Sequence, residues 1–306
     1  MATSADAPAA GVVNAMSVDV EDYFHVNAFD GVVPRSRWES LESRVCRNTD
    51  RLLTLFDTHH VTATFFVLGW VAERYPFLVS RIASMGHEVA SHGYAHRLIY
   101  DQTPEAFRDD VRRAKDLLES STGLAVDGFR APSYSVTART LWALDVLIEE
   151  GYRYDASIFP IRHDRYGMPD APRHPHRLTR DRGSLVEAPA STVRCGRVNL
   201  PVAGGGYFRI LPYAWTRWGI RRINRREGRP AIFYLHPWEI DPSQPRFRAG
   251  FVSRFRHYRN LDKTEGRLAR LLRDFRFSTV RQVLSASHPE LTSPPQTGLR
   301  MAANVQ

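Results

Sequence analysis

The stretch "SVDVEDYFHV" (residues 17–26) follows the apolar run "GVVNAM" (11–16) and places Asp19, Glu21, Asp22 and His25 within seven positions. Acidic residues at this density normally occupy a solvated face. These sit where a strand ends, because residues 12–20 are apolar and β-branched enough to read as a buried strand. On an extended chain, positions i and i+2 share a side. Asp19 and Glu21 therefore point one way and Val20 points into the core.

Outward from that strand, strand-like and helix-like segments alternate. Strand patterns cover 61–69, 87–93, 126–132, 152–158 and 230–240. Helix patterns cover 46–58, 70–86, 103–123, 136–151, 213–227 and 264–275. The segment 103–123 is well signed, with Thr103 before Pro104 at its start and Gly123 at its end. Pro76 disturbs the 70–86 helix. Residues 160–184 read as a long polar loop. "LVEAPAST" (185–192) and "RVNLPVAGGGYFRI" (197–210) read as strand-like. A repeated βα unit of this kind argues for a parallel sheet or barrel.

Composition narrows the classes. A chain of 306 residues holds one large α/β domain or two smaller ones. No apolar run approaches the roughly 18–20 residues of a membrane-spanning helix. The start, "MATSADAPAAG", lacks the basic and apolar regions of a secretory signal, so a cytoplasmic protein is expected. Cys46 and Cys195 match no metal spacing and read as two buried free thiols. The net charge of +9 concentrates in "TRWGIRRINRREGR" (216–229). There Arg217, Arg221, Arg225 and Arg229 would line one helix face. No nucleic-acid signature accompanies them, and a solvated face is expected. "VAGGGYF" (202–208) lacks the Lys-Ser/Thr of a phosphate loop, so its glycines read as sites of close backbone approach.

Polar residues fall at strand ends. Asp19, Glu21 and Asp22 end the first strand, His92 and His96 follow the third, Arg130 ends the fourth, and His236 ends the late strand "FYLHP". In parallel β/α folds these ends converge on the face that carries active sites. "SHGYAH" (91–96) sets His92 and His96 at i, i+4, which on a helical turn aims both imidazoles at one metal. A carboxylate from the first strand completes a two-His, one-carboxylate set with positions open for water and substrate. A redox iron site with the same ligand set is the alternative.

"SVDVED", "SHGYAH", "RAPSYS" and "LHP", in this order on a βα repeat, resemble the polysaccharide deacetylases with NodB homology (carbohydrate esterase family four). "DVED", "PVAGGGYF", "FYLHPWEID" and "FRHYRNL" more closely resemble the branch associated with exosortase and exopolysaccharide gene clusters. The resemblance covers roughly residues 12–285. It implies a distorted (β/α) barrel of about seven strands, with a C-terminal extension over about 195–285 and disordered ends at 1–11 and 286–306. It implies a metal-dependent N-deacetylase acting on N-acetylhexosamine units of an exopolysaccharide or its precursor. Two other readings stand beside it: an allantoinase-like small-molecule amidohydrolase, and a non-catalytic carbohydrate-binding protein on the same scaffold. Carried over residue by residue, Asp19 is the general base, His236 the general acid, and Arg130 the group that orients the base. His92 and His96 are metal ligands, and a backbone N–H near Ser133 or Tyr134 meets the oxyanion. The common motif has two adjacent aspartates, whereas Val20 follows Asp19 here. Glu21 is then the first choice as third ligand and Asp22 the alternate. The metal is a single divalent ion, zinc by default, with Co, Fe, Ni or Mn open. The expected partner is an N-acetylated polysaccharide or oligosaccharide, with no nucleic acid; the oligomeric state is open. His25 either lines the site or packs. Asp155 either orients a histidine or makes buried hydrogen bonds. Trp238, beside "LHP", is placed to stack on a sugar ring.

Overall fold

The computed structural model describes residues 11–292. The expected disordered ends at 1–10 and 293–306 lie outside that range. Among the described residues eleven strands occur in chain order: β1 (Asn14–Val20), β2 (Thr64–Val67), β3 (Glu88–Ser91), β4 (Gly128–Phe129), β5 (Tyr154–Asp155), β6 (His176–Arg180), β7 (Gly183–Glu187), β8 (Thr192–Cys195), β9 (Val198–Pro201), β10 (Ile232–Leu235) and β11 (Phe277–Ser278). The main sheet runs β10-β1-β2-β3-β4-β5-β7-β6, with β11 beside the start of β1. Every pair from β10 to β7 is parallel, and β6 returns antiparallel on β7.

Irregular backbone closes the circle from β7 back to β10. The Ser191 N–H reaches the Ile232 carbonyl (3.4 Å), and the Tyr234 N–H reaches that of Ala203 (2.8 Å). The result is a distorted (β/α) barrel with seven parallel staves: β10, β1, β2, β3, β4, β5 and β7.

Alternation along β1 explains what each face does. Met16, Val18 and Val20 join the large apolar layer between barrel and helices. Ala15 joins the small interior cluster with Phe66, Ala90, Ala156 and Ala188. Small residues let so few staves close around a filled centre. Ser17 and Asp19 share that inward face. The helix Val280–Ser285 plugs the bottom through Val280 and Leu284, so the interior opens only at the C-terminal ends of the strands.

The outer helices follow their signals. In Pro104–Thr122 the Thr103 hydroxyl accepts the Ala106 N–H at 3.2 Å, and Gly123 closes the helix at φ +68°. Phe107, Val111, Ala114 and Leu118 bury one stripe. Each large side chain there contributes roughly 1.5–3 kcal/mol. Pro76 splits the expected 70–86 helix into Gly69–Arg74 and Pro76–Ser84. No helix among the described residues is long and apolar enough to cross a membrane.

Several expectations are corrected. The polar segment 160–184 is not all loop: it contains β6 and the start of β7. "GGYFRI" is a helix, Gly205–Ile210, not a strand. The helix expected over 136–151 is confined to Trp142–Glu149. Helix Phe251–Tyr258 was not anticipated. Residues 286–292 are not a disordered tail: a 3₁₀ turn, Pro289–Leu291, buries Leu291. The arginine helix ends at Arg222 and passes through a wider π turn to Gly228, so Arg229 leaves the expected face. Arg217 pairs with Asp274. Neither cysteine is fully buried; Cys46 is half-buried and Cys195 exposed.

Candidate active site

At the end of β1 the chain turns sharply, as the Glu21 N–H donates to the Asp19 carbonyl (3.0 Å). Asp19 and Glu21 both line one cavity of about 190 Å³, as the strand alternation predicts. Asp22 does not. Its carboxylate accepts from the Ser43 hydroxyl (2.7 Å) and from the Arg44 and Val45 N–H groups (2.7 and 3.1 Å). It caps the helix Val45–Thr58, whose own N-cap residue, Arg44, makes no side-chain capping bond. Asp22 is thereby corrected as the alternate ligand. His25 is a packing residue: its Nδ1 accepts the Asp22 N–H (2.9 Å), and its ring sits among Phe24, Trp38 and Trp70. Burial holds it well below the usual histidine range, and therefore neutral.

His92 follows β3, but the segment to His96 is not a helical turn. Gly93 (φ +70°) and His96 (φ +50°) are left-handed. The Asp110 carboxylate accepts the Tyr94 and Ala95 N–H groups (2.7 and 3.1 Å) and fixes the loop. The i, i+4 spacing still brings the two imidazoles together, with ring centroids 5.4 Å apart. His92 Nδ1 donates to the Arg130 carbonyl (2.8 Å), which leaves Nε2 unprotonated. Burial, reinforced by His96, lowers the His92 pKa to about 4 against the pull of Asp19 and Glu21. His96 Nε2 lies 2.8 Å from Glu21 Oε2. Glu21, His92 and His96 each offer one donor atom, all within 4.8 Å of one another. Two imidazoles and one carboxylate, one ring already fixed through its other nitrogen, match the donor chemistry of a divalent-metal site.

Glu21 is fully buried, which pushes its carboxyl up. His96, His236 and His92 outweigh this and hold it well below the usual carboxylate range. Arg130, 1% exposed, comes off the end of β4. Its Nη1 reaches Asp19 Oδ1 (2.6 Å) and the Ser17 hydroxyl (2.9 Å), and its Nε reaches the Ala156 carbonyl (3.2 Å). Residues from three strands therefore hold one carboxylate in place beside a guanidinium.

His236 ends β10. Its Nε2 faces Asp19 Oδ2 (3.8 Å) and Glu21 Oε1 (3.6 Å), and its Nδ1 bonds Glu239 Oε1 (2.7 Å). Burial alone would lower its pKa. Glu239, Glu21 and Asp19 instead carry it up to about 9, so His236 is an imidazolium near neutrality. Glu239 is itself gripped by Arg209 (2.5 Å), whose Nη1 donates to the His257 carbonyl (2.6 Å). Neither Glu239 nor Arg209 was anticipated. The His-x-x-Glu spacing in "HPWEI" carries the signal for the first; nothing local marks the second.

Trp238 does not offer its ring to a sugar. The ring stacks on His236 and His257, at 5.0 and 4.1 Å between centroids. Its Nε1–H holds Glu21 Oε1 (3.1 Å). The Tyr134 N–H is committed to the Ala131 carbonyl (3.1 Å), which narrows the expected oxyanion donor to the Ser133 N–H. Ser133 and Tyr134 both have positive φ (51° and 54°), strained values that set this turn against the cavity. Asp155 orients no histidine. It is buried beside Ser157 and Glu187; burial raises both carboxyls, Asp155 pushes Glu187 further up, and the hydrogen bonds from Glu187 and Ser157 only partly offset the rise in Asp155. A groove of about 560 Å³, bordered by Tyr166, Tyr207 and Tyr234, leads from the cavity to the surface.

Residues 42–154 match the polysaccharide deacetylase family model, and residues 156–285 match a domain family of unknown function. A peptidoglycan deacetylase of Helicobacter pylori is 32% identical over 108 residues, which is 35% of this chain and 36% of that protein. A chitooligosaccharide deacetylase of Bradyrhizobium is 31% identical over 99 residues, 32% of this chain and 43% of that one. The match thus spans about a third of the first of these relatives and under half of the second. A crystal structure from Mycobacterium smegmatis, of a protein named for the polysaccharide deacetylases, covers 95% of this chain and 96% of its own. Its TM-score is 0.59 at 20% identity, a likeness of fold. Over residues 42–154 this chain therefore matches the polysaccharide deacetylase family, and its seven-stave barrel is the fold of the Mycobacterium smegmatis structure.

Proposed function

We propose that this protein is a metal-dependent N-deacetylase that removes acetyl groups from N-acetylhexosamine units of an exopolysaccharide or its precursor. The observation that carries the reading is one cavity holding an arginine-paired carboxylate, a cationic histidine and a three-donor set. Similarity to deacetylases of peptidoglycan and chitooligosaccharide supports the substrate class.

Glu21, His92 Nε2 and His96 would hold the metal. When bound, a divalent ion supplies Lewis-acid polarisation of the acetamide and a water of lowered pKa. Zinc suits two imidazoles and a carboxylate, and Co, Fe, Ni and Mn use the same donors. Asp19, held in place by Arg130, takes the proton from the attacking water. The Ser133 N–H donates to the developing oxyanion. His236 delivers its Nε2 proton to the departing nitrogen, so the products are acetate and a free amine. Glu239 keeps that proton on Nε2 by occupying Nδ1. Base and acid are set by opposite surroundings: an arginine beside Asp19, three carboxylates around His236.

The test is acetate release from N-acetylglucosamine oligomers by the zinc-loaded chain. Asp19→Asn and His236→Ala are each expected to lose roughly 10²–10⁴ in rate. Full activity in both variants overturns the assignment. Glycan binding without acetate release from the loaded wild type favours a binding protein instead.

A further inference from the structure

Helix Phe251–Tyr258 is amphipathic in the reverse sense. At 3.6 residues per turn, Phe251, Phe255 and Val252 fall within an arc of about 100°. That arc faces solvent, with the three side chains 83%, 43% and 58% exposed. The opposite side is anchored by His257, which is buried and stacked on Trp238. Leaving two phenyl rings in water opposes folding, and the rings lie against each other at 6.4 Å between centroids.

The surroundings are cationic. Arg246, Arg248, Arg254, Arg256 and Arg259 are all exposed, and no acidic residue lies between Ser243 and Leu261. Among the described residues none of these five arginines forms an ion pair, and the preceding acid, Asp241, is spent on Arg44 and Arg47. An exposed apolar tip ringed by arginines complements one surface in particular: a bilayer with anionic headgroups. A second copy would bring like charges face to face. A sugar chain in the groove would be met by Ser253, Arg256 and His257, the residues of this helix that line the cavity. Phe251, Val252 and Phe255 line neither cavity nor groove.

We propose that helix Phe251–Tyr258 docks the protein on an anionic lipid surface, with Phe251, Val252 and Phe255 entering the interface and the arginines against the phosphates. Because the same helix forms one wall of the cavity, docking holds the cavity mouth beside the bilayer. The contact is peripheral and reversible, since so short a helix buries little apolar area. It stands on this helix alone and not on the deacetylase reading.

The experiment is co-sedimentation of the full chain with vesicles of phosphatidylcholine alone and of phosphatidylcholine mixed with phosphatidylglycerol. Binding to the mixed vesicles only, weakened by added salt, is expected. Phe251→Ser/Phe255→Ser should lower partitioning at least about tenfold. Arg248→Gln/Arg254→Gln should lower it about 25-fold, at roughly fivefold per arginine. Thermal unfolding and acetate release from soluble oligomers should be unchanged in the phenylalanine pair. No vesicle binding by the wild type, or equal binding by both double variants, overturns the proposal. So does a raised KM on soluble oligomers with vesicle binding intact, which would make the patch a glycan platform. Loss of a wild-type dimer in the phenylalanine pair, without vesicle binding, overturns it in favour of self-association. Vesicle binding is read without catalysis, so an inactive protein that still binds refutes only the deacetylase reading.

Discussion

Replacing Asp22 and Glu21 in turn separates two adjacent carboxylates that the structure assigns to different work. Asp22→Ala removes an acceptor of the Ser43 hydroxyl and of the Arg44 and Val45 N–H groups, at 2.7, 2.7 and 3.1 Å. The site is buried, so the freed donors find little water. Loss of a helix cap costs about 1–2 kcal/mol, and a stranded buried donor about 1–3 kcal/mol more. A total of about 3–4 kcal/mol lowers the melting temperature by roughly 10 °C in a domain of this size. Zinc affinity, measured by calorimetry well below that melting point, should stay within about threefold of wild type. Glu21→Ala should do the reverse. It weakens zinc binding more than about 100-fold, while metal-free stability falls by only about 1 kcal/mol, for the Trp238 N–H left without its acceptor. Melting in chelator, read beside the zinc titration, gives both numbers from one preparation. If Asp22→Ala folds normally and loses zinc while Glu21→Ala retains it, the assignment of the strand end is refuted.

Three further outcomes follow from particular contacts. Gly204 has φ +127°, and a Cβ there would lie 1.9 Å from the Tyr234 carbonyl oxygen, where the barrel closes; Gly204→Ala should cost at least about 4 kcal/mol in a denaturant titration, and Gly206→Ala, whose Cβ would meet Arg209 at an ordinary 3.9 Å, less than about 1 kcal/mol. His87 is held near pKa 4 by burial, against the weak pull of Asp57, and its Nδ1 accepts the Ala63 N–H. Its folded value lies below the unfolded one, so the unfolded chain binds the extra proton and stability falls as pH drops through 6.5 toward 4, by about 2–3 kcal/mol at pH 4; the difference in melting temperature between neutral and acid buffer should shrink in His87→Gln. Glu239→Gln should lower kcat about 10²-fold with KM within about threefold, since it touches the acid's orientation and not the substrate; an unchanged kcat would remove Glu239 from the mechanism.

The barrel's staves and the convergence of Asp19, Glu21, His92, His96, Arg130 and His236 were legible because strand ends and βα alternation are local patterns. What escaped depended on distant partners. The β6 strand alternates half-buried and exposed positions in "HRLTR", an edge-strand pattern that reads as loop when its partner is unseen. Helix Phe251–Tyr258 was hidden because its apolar face is turned outward. Asp22 and Glu21 are chemically equivalent in sequence; only helix Val45–Thr58, brought back beside β1, tells them apart. Arg209 belongs to "GGYFRI", which reads as a strand, and its target Glu239 lies thirty positions on. The i, i+4 histidines were right in spacing but wrong in local form, because Asp110 and two left-handed residues shape the loop instead of a helix.

The central claim is that Glu21, His92 and His96 hold one metal ion and that Asp19 and His236 act around it. Adding zinc stepwise to metal-free protein, and measuring acetate release from N-acetylglucosamine oligomers at each step, tests it most directly. The account predicts a rate that rises in proportion to bound zinc and levels off at one ion per chain. A rate already maximal in metal-free protein, or no acetate at full loading, would contradict it.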